Sequence, residues 1–229
     1  MANLHTTFAG VSSPNPFWLA SAPPTDKAYN VIRAFEAGWG GVVWKTLGEA
    51  GPPVVNVNGP RYGALLTPDR RLLGFNNIEL ITDRDLELNL REITQVKRDW
   101  PDRAMVVSLM VPCEEAAWKA ILPRVEDTGA DGIELNFGCP HGMSERGMGA
   151  AVGQVPEYIQ MVTAWCKQYS RLPVIVKLTP NITDVRFPAR AAKAGGADAV
   201  SLINTINSIV GVDPYSLTMV PSTGGKGSH

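Results

Sequence analysis

Side chains able to do chemistry recur at one kind of place in this sequence, directly after short apolar runs: Ser21, Lys45-Thr46, Asn136 with Cys139 just beyond, Lys177-Leu178-Thr179, and Asn204-Thr205. Lysine after a buried run is a mobile cation on an apolar stem. It suits negative charge developing on a bound ring, such as the pyrimidine edge of a reduced flavin, and Lys45 and Lys177 both qualify. Asparagine offers a donor and an acceptor together, matching an imide or amide edge that carries both; Asn77, Asn136 and Asn204 could each hold one. Cys139 lies in Asn136-Phe137-Gly138-Cys139-Pro140-His141-Gly142-Met143, with five glycines between 138 and 153. That composition suits a mobile flap that swings over a ligand and excludes water. A thiol with its ordinary pKa of about 8.5 is mostly protonated at neutral pH and can donate a proton. As a thiolate nucleophile it would need a base, and His141 is the internal candidate. Cys166 falls in a helical pattern as packing, and Cys113 opens the third helix. The three cysteines form no CxxC, and His5 and His229 sit at the chain ends, so no metal site is expected.

The apolar runs that must position these groups are Phe17–Ala22, Gly41–Thr46, Ala104–Leu109, Gly132–Phe137, Pro173–Leu178 and Ala199–Asn204. Several are apolar on both faces, as strands covered on both sides should be. Between them Leu86, Leu90, Ile93 and Val96, then Ala117, Ile121 and Val125, then Tyr158, Val162 and Trp165 follow helical spacing. Thr82 and Thr183 read as helix starts. One signal occurs three times, at Ala37-Gly38-Trp39-Gly40-Gly41, Thr128-Gly129-Ala130-Asp131-Gly132 and Ala194-Gly195-Gly196-Ala197-Asp198: a helix stops at glycine and a strand opens. The order is β-α five times, then a sixth strand, which calls for a parallel sheet. A doubly wound dinucleotide fold should show GxGxxG after its first strand. Ser21-Ala22-Pro23-Pro24 cannot make that turn, and the glycines from Gly147 to Gly153 have the wrong spacing. Gly224-Gly225-Lys226-Gly227-Ser228 fails as a P-loop. The expected fold is therefore a (β/α)8-type barrel over residues 1–229 as one domain. With about six strands it is incomplete: either the chain is a fragment of a longer protein, the favoured expectation, or the fold is an open six-stranded variant. The long connection from Leu47 to Thr82, which carries Asn77, is expected to cover the site.

Composition narrows the function classes. With 21 Lys+Arg against 22 Asp+Glu, the net charge of −1 argues against a nucleic-acid partner. A hydrophobic content of 45% with 19% charged residues is globular. No apolar run approaches the roughly 18 residues of a membrane span. Unpaired cysteines and the lack of a signal peptide point to the cytoplasm.

The same residues carry a family resemblance. The chain resembles the NAD-dependent dihydropyrimidine dehydrogenases, above all the bacterial catalytic subunits, within the dihydroorotate dehydrogenase group. The resemblance runs from about Leu4 to the end. It is carried by Asn15-Pro16-Phe17, Leu19-Ala20-Ser21-Ala22, Gly40 through Thr46, Asn77-Ile78-Glu79-Leu80-Ile81, Cys139 through Gly149, Lys177-Leu178-Thr179-Pro180-Asn181 and Asn204-Thr205. It implies a TIM-type barrel with non-covalent FMN contacted by Ala20, Ser21, Lys45, Thr46 and Lys177. A pyrimidine base would be held by Asn77, Asn136, Asn204 and Thr205, with Phe137 and Gly138 beside it. The implied reaction reduces uracil or thymine in pyrimidine catabolism: hydride goes from FMN to C6 and a proton from Cys139 to C5. Electrons would come from NADH through a flavoprotein partner subunit in an oligomeric assembly. The family's barrel continues beyond the last residue here and carries the flavin phosphate site there. Its 4Fe-4S clusters are expected only in the full-length protein or the partner, since no ligands for them occur in this chain. Gly138 stands where serine is expected in many relatives.

Two other readings compete. One is a dihydroorotate dehydrogenase-like flavin oxidoreductase, although orotate's carboxylate calls for an extra cation and no arginine occurs at the six strand ends. The other is a non-catalytic truncated barrel unable to retain FMN. A flavin barrel acting on tRNA uridine fits the net charge poorly.

Overall fold

The computed structural model describes residues 3–49, 62–78, 80–139, 147–209 and 211–220. A hairpin of β1 (Thr6–Phe8) and β2 (Val11–Ser13) leads into β3 (Trp18–Leu19) and a 3-10 turn at Pro23–Thr25. Then come α1 (Ala28–Glu36), β4 (Gly41–Leu47), a second hairpin of β5 (Tyr62–Leu66) and β6 (Leu72–Asn77), α2 (Leu86–Asp99) and β7 (Ala104–Leu109). The chain continues through α3 (Glu115–Glu126), β8 (Gly132–Asn136), the single turn α4 (Ala150–Gly153), α5 (Pro156–Tyr169), β9 (Val174–Lys177), α6 (Arg186–Ala194) and β10 (Ala199–Ser201). A short hairpin of β11 (Gly211–Val212) and β12 (Met219–Val220) follows.

The six expected strands form one parallel sheet in the order β3-β4-β7-β8-β9-β10. A doubly wound sheet reverses its strand order at a switch point. Here the order never reverses, so right-handed crossovers lay every helix on the same face and the other face curls inward. The result is an incomplete TIM-type barrel. Its sequence-level signature is legible in the packing: Val42, Trp44, Met105, Val107, Ile133, Leu135, Val174 and Val176 face the helices in one large core. Val43, Val106 and Ile175 alternate with them and form a separate small cluster on the inner face, with Trp18 and Ala199 packed against it.

The helix-to-strand turns show why the repeated signal works. Gly38, Gly129 and Gly196 hold φ of +98°, +80° and +92°, conformations that side chains with a Cβ resist. At two of these turns an aspartate repeats the same pair of contacts. Asp131 Oδ2 accepts Lys97 Nζ at 2.7 Å and Met105 N at 2.8 Å; Asp198 Oδ2 accepts Lys167 Nζ at 2.7 Å and Val174 N at 2.7 Å. Each carboxylate ties a strand start to a helix.

Some local expectations shift. Asp85, not Thr82, caps α2 by accepting Leu88 N, because its carboxylate is placed to reach an orphan N–H of the first turn. Val185 precedes α6, two residues past Thr183, and Asp184 accepts Arg186 N there. Cys113 lies before α3, whose N-cap is Glu114. The connection after Leu47 is not a plain loop: it contains the β5–β6 hairpin, which ends at Asn77. Among the described residues, no helix is long and apolar enough to cross a membrane.

Candidate functional site

A cleft of about 180 Å³ opens at the C-terminal ends of the sheet strands, the face on which barrel sites are built. Ser21, Lys45, Thr46, Asn77, Asn136, Cys139, Lys177, Asn204 and Thr205 line it, with Pro23, Leu80, Ile81 and Ile203 as apolar wall. Each polar group is delivered by an element end. β4 carries Lys45 and Thr46, β8 ends on Asn136, β9 ends on Lys177, β6 ends on Asn77, and the segment after β10 carries Asn204 and Thr205. Strand register aligns Asn136 with Lys177.

Three expected contacts lie elsewhere. Ala20 lines a separate space on the inner face beside Trp18 and Val43. Phe137 follows the inward-facing Asn136, so alternation turns its ring outward into the sheet–helix core, where it is buried. Gly138 packs under Asn204: a Cβ there would meet Asn204 Cβ at 2.4 Å, so the serine expected in many relatives cannot fit without moving Asn204.

Asn136 is the hub of the site. Its Oδ1 accepts Gly138 N and Cys139 N, both at 3.2 Å, and Asn204 Nδ2 at 3.0 Å; its Nδ2 donates to Thr46 Oγ1 at 2.9 Å. Asparagine at a strand end is suited to this because its carboxamide can accept the N–H groups of the next two or three residues. Thr205 N in turn donates to Asn204 Oδ1 at 2.7 Å. The asparagines thus organise the cleft walls as well as presenting amide groups to a ligand.

Cys139 is more enclosed than a flap residue should be, at 7% exposure. It clusters with Ile81, Met110 and Met148 while still lining the cleft. Its carbonyl accepts Ala150 N at 3.1 Å, fastening the start of α4 to it. The close approach requires glycine: a Cβ on Gly149 would come within 2.4 Å of that carbonyl, and one on Gly153 within 1.8 Å of Phe137 O. His141 and the rest of 140–146 lie outside the described residues.

Two polar residues of the inner face were not anticipated. Ser108 on β7 and Glu134 on β8 are aligned in register and buried. Ser108 Oγ donates to Glu134 Oε1 at 2.9 Å and shares a 2.9 Å hydrogen bond with Thr46 Oγ1. Burial pushes the Glu134 carboxyl pKa up, while the Lys177 charge and hydrogen bonds from Ser108 and Ser201 oppose that rise. The available signal was a glutamate two residues before Asn136 in an otherwise apolar strand, hence on the same face.

Residues 3–225 match the dihydroorotate dehydrogenase family. The chain is 42% identical over 228 residues to a chloroplastic dihydropyrimidine dehydrogenase (NADP(+)) of Arabidopsis thaliana, covering 97% of this chain and 53% of that one. It is 40% identical over 226 residues to the NAD-dependent dihydropyrimidine dehydrogenase subunit PreA of Escherichia coli K12, covering 99% and 54%. The chain therefore spans about half the length of these curated relatives. A dihydroorotate dehydrogenase of Eimeria tenella, solved with ferulenol, superposes with a TM-score of 0.69 at 18% identity, over 95% of this chain and 62% of its own. Sequence and fold agree: the chain belongs to the dihydroorotate dehydrogenase family.

Proposed function

We propose that this chain is the catalytic barrel portion of an NAD-dependent dihydropyrimidine dehydrogenase that reduces uracil or thymine with FMN. The observation that carries the reading is the convergence of Lys45, Lys177, Asn136 and Cys139 on one cleft. The residue set suits the pyrimidine edge of a flavin: Lys45, Lys177, Ser21, Thr46 and Asn136 all line one space. FMN bound here supplies the hydride for C6 of the pyrimidine. Lys45 and Lys177 hold the ring edge and stabilise negative charge on it. Asn77, Asn204 and Thr205 orient the pyrimidine by its imide edges. Cys139 keeps its proton between an apolar wall and the cleft and delivers it to C5. The Escherichia coli relative is named a subunit, which supports a partner that passes electrons on from NADH. Among the described lining residues the cations are the two lysines; both are committed to the flavin, so uracil or thymine fits better than the carboxylate-bearing orotate.

The test is visible absorption of the purified chain titrated with FMN, followed by dithionite reduction and reoxidation by uracil, thymine or orotate. Retained flavin, reoxidised by uracil or thymine and slowed by about 10²–10⁴-fold in Cys139→Ala, is the expected result. Flavin binding that is indifferent to Lys45→Met and Lys177→Met, or reoxidation by orotate alone, overturns it.

A further inference from the structure

The chemistry above leaves the buried Glu134 without a task. It lies on the inner face at 3% exposure, beneath the cleft, beside Val43, Ile175 and Ser201. From it a continuous line of hydroxyls climbs to the cleft. Ser108 Oγ donates to Glu134 Oε1 (2.9 Å), Thr46 Oγ1 lies 2.9 Å from Ser108 Oγ, and Ser21 Oγ lies 3.1 Å from Thr46 Oγ1.

The remaining contacts fix the direction of this line. Thr46 N donates to Ser21 Oγ at 3.0 Å and Asn136 Nδ2 donates to Thr46 Oγ1 at 2.9 Å. With Glu134 ionised, every hydroxyl hydrogen points down the line: Ser21 to Thr46, Thr46 to Ser108, Ser108 to the carboxylate. With Glu134 protonated, it can donate to Ser108, and the hydrogens reverse in sequence. Thr46 then donates to Ser21, whose two acceptor positions are filled by the Thr46 hydroxyl and the Thr46 N–H. The Ser21 hydrogen is left for the cleft.

We propose that Glu134 is the buried terminus of a hydroxyl relay through Ser108 and Thr46 that sets whether Ser21 offers a hydrogen to the ligand. Glu134 is a positioning residue: it is not among the residues lining the cleft and acts through Ser21. Among the described residues, the charged group acting on it is Lys177 on the neighbouring β9; Lys45 on β4 lines the cleft above. From β7 and β10 it meets the hydroxyls of Ser108 and Ser201. Binding of a ring that carries an acceptor or negative charge at Ser21 is therefore coupled to uptake of one proton at Glu134. The relay rests on this chain's own hydrogen bonds; its ligand rests on the flavin reading above.

Two measurements on the full chain separate the two. The first is the carboxyl ¹³C resonance of Glu134, assigned by loss in Glu134→Gln and followed through a pH titration. The expected midpoint lies above those of exposed glutamates and moves in Ser21→Ala, three hydrogen bonds away, as well as in Ser108→Ala. A Glu134 resonance that titrates with the exposed glutamates, or is unmoved by Ser21→Ala, overturns the relay whether or not flavin binds. The second is the FMN dissociation constant against pH. It should weaken by up to about tenfold per pH unit as pH rises through the Glu134 midpoint, and that dependence should vanish in Glu134→Gln and Ser108→Ala. A dependence that survives both variants overturns the coupling. Complete absence of FMN binding overturns the coupling for this chain, while the first measurement still decides the relay.

Discussion

Asn136→Ala should cost more than any other single truncation of a cleft residue. Asn136 is 8% exposed and its carboxamide meets four partners. Two of these can recover. Asn204 is half-buried and can turn to water, and Thr46 keeps Ser21 and Ser108. The other two cannot. Gly138 N and Cys139 N are backbone donors in buried residues, and each orphaned donor costs about 1–3 kcal/mol. A water admitted into the vacated space can take up part of this, so the expected loss is about 2–4 kcal/mol. Urea unfolding followed by tryptophan fluorescence reads it directly, since Trp44 and Trp118 are fully buried reporters. Asn136→Asp discriminates hydrogen bonding from volume. It keeps an acceptor for all three donors, and the Thr46 hydroxyl can turn to donate to it, so its loss should be the smaller. An Asn136→Ala loss below about 1 kcal/mol, or an Asp variant weaker than the Ala variant, refutes the hub.

Gly153→Ala places a Cβ 1.8 Å from the Phe137 carbonyl oxygen, a backbone clash that no side-chain rotation relieves; thermal unfolding should show a loss of at least about 3 kcal/mol. Gly147→Ala meets no atom within 4 Å among the described residues and carries the strain of φ +67°, so about 1–2 kcal/mol is expected, and equal losses would refute the steric account. Iodoacetamide on the native chain should modify Cys113 before Cys139 and leave Cys166 untouched until unfolding, because burial pushes the Cys166 thiol far up and no thiolate forms. Cys113 should still react slowly, its thiol raised by burial and by the Glu114 charge; peptide mass mapping checks the order. Burial alone would raise the Asp198 pKa, but the Lys167 hydrogen bond and the Val174 N–H outweigh it and hold the carboxyl below its ordinary value. A depressed folded pKa contributes stability above the unfolded pKa of about 3.9 and loses it as pH falls through the folded value. Wild type and Asp198→Asn should therefore differ in stability near neutral pH and converge below about pH 4.

What could be read from the chain and what could not divide along one physical line. A strand buried on both faces is apolar on both, so its existence is plain while the direction of each side chain is not. The six strands and their parallel order followed from apolar runs punctuated by glycine, and the sheet has that order. The polar strand ends Lys45, Asn136 and Lys177 do meet in one cleft, because parallel strands bring like ends together. Side-chain direction needed register. The family resemblance implies Phe137 beside the pyrimidine, yet alternation sends adjacent residues to opposite faces and its ring joins the helix-side core. The same alternation, applied from Asn136 back to Glu134 and across to Ser108, identifies the buried acid and its partner. Cys139 illustrates the other gap. Glycine-rich composition around it reads as mobility, but Gly149 and Gly153 are there to let α4 close on the backbone of β8's exit, and that closeness is what encloses the thiol. Gly149 and Gly153 thus serve contact rather than freedom. A polar residue that breaks an apolar strand is in consequence the more informative signal of the two: it can only be tolerated if a partner waits at its own level of the sheet, and here Ser108 and Glu134 satisfy each other under the cleft they help to orient.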